Sequence, residues 1–173
     1  MAEGAAGLTV SVEEAMQAAA LRYFESDGAF AAAVRELTGV ALPQVLHAAV
    51  SGNGQYTLAW RSPTETLALT PSTARMLVLE EKLAAATDGC LVNLSGGLKV
   101  LRVMGERVSD LLCRLGGSAC VPAVGEARRS RLADVPVLAL CVRSTETLLV
   151  VDRAYAEHLM GWIRETLLDF APA

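Results

Sequence analysis

The string Thr-Glu-Thr-Leu occupies residues 64–67 and returns at 145–148, an offset of 81 in a chain of 173 residues. The text around it returns in the same order. Leu-Arg-Tyr-Phe at 21–24 is answered by Leu-Arg-Val-Met at 101–104, and Val-Ala-Leu-Pro at 40–43 by Ala-Cys-Val-Pro at 119–122, with offsets of 80 and 79. Between these landmarks Phe30, Ala33, Val34 and Leu37 carry the i, i+3, i+4, i+7 spacing of one helix face. Val108, Leu111, Leu112 and Leu115 carry it again. The chain therefore reads as two degenerate copies of a unit of about 80 residues, too long for a solenoid repeat. A short extension over 1–16 precedes a first half over 17–89 and a second over 90–173, sharing one compact domain.

The second copy is the easier to read and serves as a template. Residues 90–95 and 98–104 are short apolar runs separated by Gly96-Gly97, which gives strand, turn, strand. A helix over about 106–115 stops at Gly116-Gly117, and strands are expected over 128–133, 136–142 and 147–151. Asp152 then caps a long helix whose inner face is Tyr155, Leu159, Trp162, Ile163, Thr166, Leu167 and Phe170. Applied to the first copy, the template turns residues 18–24 into a strand although their alanine content favours helix. Asp27 caps a helix that Gly39 ends. Strands follow over 45–50, 55–61 and 65–70, the first two joined at Gly52-Asn53-Gly54. Thr70 and Pro71 take the first positions of a second helix, which runs to about Asp88-Gly89. The expected fold class is α+β: two pseudo-symmetric β-α-β-β-β-α halves, antiparallel or mixed sheets covered by helices. Each Thr-Glu-Thr-Leu is placed at the tip and first residues of a hairpin's return strand, its polar residues in an exposed turn with a geometric role, and Trp60 and Trp162 in the core.

Charge and cysteine usage exclude several functions. The net charge is −4, and residues 1–86 hold 5 basic and 9 acidic side chains against 10 of each in 87–173. That is no nucleic-acid footprint, and the Arg128-Arg129-Arg131 cluster reads as a solvated strand or loop. No apolar run reaches the roughly 18 residues of a membrane span, and the acidic N-terminus does not resemble a signal peptide, so a cytoplasmic protein is expected. Cys90, Cys113, Cys120 and Cys141 form no Cys-x-x-Cys pair, and His47 and His158 lie far apart, so no metal site is expected.

The search for chemistry finds no partnered nucleophile. Ser95 is followed by glycines but lacks a Gly-x-Ser-x-Gly elbow, and Ser-Gly-Gly-Leu-Lys at 95–99 leads into a strand, not a phosphate-binding helix. Glu13-Glu14 and Glu80-Glu81 are adjacent pairs that diverge on a helix. Asn93 stands alone in an apolar strand and needs a partner, which Arg102 could supply. Arg102, Arg131 and Asn93 are the candidates for interface contacts, arginine being suited to bridging carboxylates between chains. No catalytic, cofactor-binding or metal-binding residue is assigned.

Three segments resemble the gamma subunit of heterotetrameric sarcosine oxidase, a relative of the folate-binding glycine-cleavage T-protein fold. They are LAWRSPTETLALTP (residues 58–71), LVNLSGGLKVLRVMGERVSDLL (91–112), and RRSRLADVPVLALCV with LLVVDRAYAEHLMGWI (128–142 and 148–163). With DGAFAAAVRELTGVALP (27–43), the likeness runs from about Leu21 to Phe170. The chain departs from the family pattern at Asn93 (aspartate), Thr66 (tryptophan) and Gly96 (histidine). The resemblance implies a cofactor-free structural subunit packed against alpha, beta and delta partners, which hold FAD, FMN, NAD, tetrahydrofolate and zinc. Such a complex oxidatively demethylates an N-methyl amino acid or related secondary amine, forms hydrogen peroxide, and passes the one-carbon unit to tetrahydrofolate. The rival readings are a stand-alone folate-binding protein, either an aminomethyltransferase or an iron–sulfur assembly factor, and a soluble dimeric module unrelated to amine oxidation.

Overall fold

The computed structural model describes residues 2–5 and 7–170. Among these residues it forms an α+β protein of two antiparallel sheets and four α-helices, divided into two compact units. The units do not follow the expected boundaries at 1–16, 17–89 and 90–173. One comprises Met1–Glu14 with Gly97–Ala173, the other Ala15–Gly96.

The unit formed by residues 15–96 holds β3 (Gln17–Tyr23), α1 (Ala29–Thr38), β4 (Ala48–Val50), β5 (Thr57–Ser62), β6 (Glu65–Thr70), α2 (Thr73–Leu83) and β7 (Gly89–Asn93). Its sheet order is β4-β5-β6-β3-β7. The other unit holds β1 (Ala2–Ala5), β2 (Leu8–Val12), β8 (Leu98–Met104), α3 (Val108–Gly116), β9 (Ala127–Leu132), β10 (Val135–Arg143), β11 (Glu146–Asp152) and α4 (Arg153–Leu168), with sheet order β1-β2-β8-β11-β10-β9. Reversing the first order gives β7-β3-β6-β5-β4, which matches β2-β8-β11-β10-β9 strand for strand. The repeat is therefore real, with its leading strands exchanged. β2 precedes the first copy yet pairs with β8, and β7 opens the second copy yet pairs with β3. Residues 90–95 and 98–104, expected as strand, turn and strand, enter separate sheets.

Local chemistry sets most element ends, with some corrections. Residues 17–23 form a strand despite their alanine content, because Ala18–Leu21 are buried in the middle of a sheet. β6 and β11 are buried along nearly their whole length, so neither shows an alternation of apolar and charged residues, and β6 buries Thr66 and Thr70 beside its Leu-Ala-Leu run. Gly39 ends α1 in the left-handed region, as expected. The start of α1 differs: Gly28, not Asp27, is the N-cap residue, and both oxygens of Asp88 accept the Phe30 N–H at 3.0–3.1 Å. Ser72, not Thr70, caps α2, which ends at Leu83. β4 is three residues, shorter than the expected 45–50.

The unit of residues 15–96 packs Leu21, Tyr23, Phe30, Val34, Leu58 and Leu79 together, and the other packs Leu101, Val103, Leu111, Leu149, Leu159 and Ile163. The buried face of α4 is Ala156, Leu159, Met160, Ile163 and Leu167. Tyr155 and Trp162, assigned to that face from the sequence, are half exposed. The Leu–Met–Ile–Leu row wins the core because it fits the sheet without leaving a polar ring atom to satisfy.

Candidate functional site

Each Thr-Glu-Thr-Leu spans the tip and first residues of a hairpin's return strand, as expected, but exposure is confined to its start: Thr64 and Thr145 lie in the turns, Thr64 exposed and Thr145 partly buried. Glu65 and Glu146 open β6 and β11, and Thr66, Glu146 and Thr147 are buried. A buried carboxylate must be paired, and each copy supplies the same two arginines. In the unit of residues 15–96, Glu65 accepts from Arg22 Nε at 2.8 Å and from Arg61 Nη1 at 2.7 Å. In the other, Glu146 is bound by Arg102 Nη1 and approached by Arg143 Nε at 3.7 Å. Arg22 and Arg102 come from the repeated Leu-Arg pair, Arg61 and Arg143 from the repeated Arg-Ser before each turn. Both hairpins also bulge just before the turn, between Trp60 and Ser62 and between Cys141 and Arg143, the kind of irregularity that re-aims a side chain. The recurring letters thus specify an ion-pair clamp at the same end of each sheet.

The two clamps also differ in their acids. In the unit containing β8, Glu13 adds a second carboxylate to Arg102, with Oε1 3.1 Å from Nε. Partial burial works against the Arg102 charge, but hydrogen bonding and attraction from Glu13, then Glu146, prevail and hold its pKa above the usual arginine value. Among the described residues no second acid pairs with Arg22, and 61% of its side chain remains exposed.

The three residues singled out from the sequence are not brought together. Asn93 lies at the end of β7, where its amide nitrogen donates to Glu80 and its oxygen accepts the Ser95 N–H at 2.9 Å. Arg102 lies on β8, occupied by Glu13 and Glu146 rather than by Asn93. Arg131 lies on β9, three strands further along the sheet, donating to the Asp134 carbonyl from a largely exposed position. What sequence reasoning missed is the clamp, and the signal was present: an Arg-Ser pair close before each Thr-Glu-Thr-Leu, with Arg61 three residues and Arg143 two residues ahead of it, and another arginine in each Leu-Arg pair.

Two surface features stand out. A cleft of about 460 Å³ is lined by Arg22, Tyr23, Phe24, Thr64, Glu65, Thr87, Gly89 and Cys90, with Phe24 85% exposed at its rim. On α4, Glu157, His158, Gly161, Trp162 and Glu165 border a shallower depression, and 52% of Trp162 faces solvent. No group of histidine, cysteine and carboxylate side chains among the described residues has metal-binding geometry, and no helix among them is long and apolar enough to cross a membrane.

The chain is thus an α+β protein of two topologically equivalent antiparallel units, with the repeated carboxylates committed to internal ion pairs. Residues 22–168 match the model of the sarcosine oxidase, gamma subunit family, and the chain belongs to that family. It is 28% identical over 179 residues to sarcosine oxidase subunit gamma of Corynebacterium sp. (strain P-1), covering 99% of this chain and 86% of the relative. Its fold is similar to a chain of the heterotetrameric sarcosine oxidase from Corynebacterium sp. U-96 in complex with pyrrole 2-carboxylate. That match has a TM-score of 0.83 and 24% identity, over 99% of this chain and 89% of the other. It also resembles glycine cleavage system aminomethyltransferase T from Bartonella henselae, with a TM-score of 0.61 at 12% identity, over 92% of this chain and 46% of that one.

Proposed function

We propose that this chain is the non-catalytic gamma subunit of a heterotetrameric, flavin-dependent oxidase of the sarcosine oxidase type, assembled with alpha, beta and delta subunits. The complex oxidatively demethylates an N-methyl amino acid or related secondary amine, releases hydrogen peroxide, and transfers the one-carbon unit to tetrahydrofolate. FAD, FMN, NAD, tetrahydrofolate and zinc belong to the other subunits, and the assembly works in the cytoplasm. The observation that carries this reading is the family match over residues 22–168. The clamps support a scaffold role. Arg22, Arg61, Arg102 and Arg143 surround Glu65 and Glu146, so the two most buried acids of the hairpins serve to hold strands together.

The experiment is to purify the chain alone and assay it for sarcosine turnover and for tetrahydrofolate binding by calorimetry. A scaffold subunit shows neither. Saturable folate binding by the isolated chain would replace this reading with a stand-alone folate-binding protein, for which the likeness to the aminomethyltransferase shows the fold alone.

A further inference from the structure

We infer that the free edge of β7 is an acceptor for one strand of a partner subunit, and that this strand brings a carboxylate to Arg22. The inference rests on the subunit reading above and adds where, and by what chemistry, the partner binds.

The two sheets match strand for strand in order, and one of them carries an additional strand at this edge. β2 and β7 hold the same place, but β2 is covered by β1, residues 2–5 of the same chain, in antiparallel register. Among the described residues β7 pairs only with β3. The Leu94 N–H donates to the Ala18 carbonyl, and Ala20 is opposite Val92 and Arg22 opposite Cys90. In an antiparallel ladder these alternate pairs exchange hydrogen bonds, so the N–H and C=O of Leu91, between them, point away from the sheet.

Proteins normally blunt such edges with charge, proline or shortness. β9, the edge of the other sheet, carries Arg128, Arg129 and Arg131. β4, the opposite edge of this one, is three residues long. β7, Gly-Cys-Leu-Val-Asn, has none of these protections, and it exposes Cys90 and Val92 on one face.

The register also states what is missing. The Glu13 N–H bonds to the Val100 carbonyl, one residue before the Leu101 that Val12 faces. Val100 corresponds to Ala20, because Arg102 and Arg22 head the two clamps. The position equivalent to Glu13 on β7 is therefore Val92, opposite Ala20. The acid that completes the Arg102 clamp is thus absent beside Arg22. The cleft lined by Arg22, Phe24, Glu65 and Cys90 leaves room for one supplied from outside. The occupant is an extended segment with apolar residues beside Cys90 and Val92 and an aspartate or glutamate near Arg22, the mode of strand addition in which the main chain binds and side chains select.

Val92→Glu restores in cis the acid found in the other unit and adds a charge to the edge. In co-expression with the other subunits, the full-length V92E chain is expected to be recovered in the assembly at least tenfold less than wild type. Its own melting temperature should stay within a few degrees. Hydrogen exchange of the Leu91 amide, compared between the chain alone and the purified wild-type assembly, should slow at least tenfold on assembly. Wild-type recovery of V92E with a Leu91 amide that exchanges equally in both states would overturn the inference while leaving the subunit reading intact. Protection of Leu91 that rises with the concentration of the isolated chain would also overturn it, because the edge would then pair with a second copy. If the wild-type chain enters no flavoprotein assembly, both readings fall together.

Discussion

At the scale of single residues, the two clamps share a plan but not an environment. The Glu146 side chain is 7% exposed and that of Arg22 is 61% exposed. Removing one partner of a buried pair strands the other charge, whereas exposed pairs contribute little. Arg102→Ala is therefore expected to cost about 2–4 kcal/mol, and Arg22→Ala under about 1 kcal/mol, as measured by urea unfolding. Replacing both Arg102 and Glu146 by methionine should cost less than Arg102→Ala alone; a larger cost would show that the pair stabilises beyond its own desolvation.

Cys141 offers a second test at this scale. Burial raises its pKa, the Thr147 hydroxyl partly opposes this, and the Glu126 charge adds to the rise. The folded thiol thus holds its proton more tightly than the unfolded one. Its contribution is complete below the ordinary thiol pKa and is lost as pH rises through the folded value. Cys141→Ala should flatten the alkaline decline of unfolding midpoints. In the wild type, iodoacetamide at mildly alkaline pH should modify the exposed Cys90 and Cys113 well before Cys141, as read by mass spectrometry.

At the scale of elements, most of what was legible in the sequence was local. The hairpin β10–β11, the return strand β6 and the glycine stop of α1 rest on neighbours within a few residues, and their residue types announce them. The strand exchange does not. Whether β7 pairs with β8 or with β3 is decided by which sheet can bury Leu91, and no letter between 93 and 98 encodes that choice. The inner face of α4 was right at Leu159, Ile163, Leu167 and Phe170 and wrong at its margin for a related reason: Tyr155 and Trp162 flank that row on one side as Ala156 and Met160 do on the other, and only the shape of the sheet decides which side is buried.

The start of α1 shows the same limit. Asp27 occupies the usual position for a capping acid, but Asp88 reaches the helix from 58 residues away. Asp88→Ala is expected to destabilise the protein by about 1 kcal/mol and Asp27→Ala to leave it within about 0.5 kcal/mol of wild type, in thermal or chemical melts. The reverse order would show that the local cap holds the helix.

At the scale of the whole molecule, the sequence disclosed the duplication, the fold class and the family likeness. The candidate contacts were less accessible. Arg102 proves to be bound within its own sheet, so its availability to a partner is reduced, while Arg131 and Asn93 lie at a sheet edge and at a strand end. An interface is a property of two surfaces, and one chain's letters carry only half of it. What the fold adds is the comparison of a unit with its own duplicate, which shows one sheet edge covered and the corresponding edge bare. The most direct test of the scaffold role is the composition of the assembly obtained when this chain is co-expressed with the other subunits and its mass is measured by light scattering alongside flavin absorbance. One copy of this chain is expected in each particle that carries flavin. A chain that elutes apart from the flavoprotein, or that retains flavin when purified by itself, would contradict it.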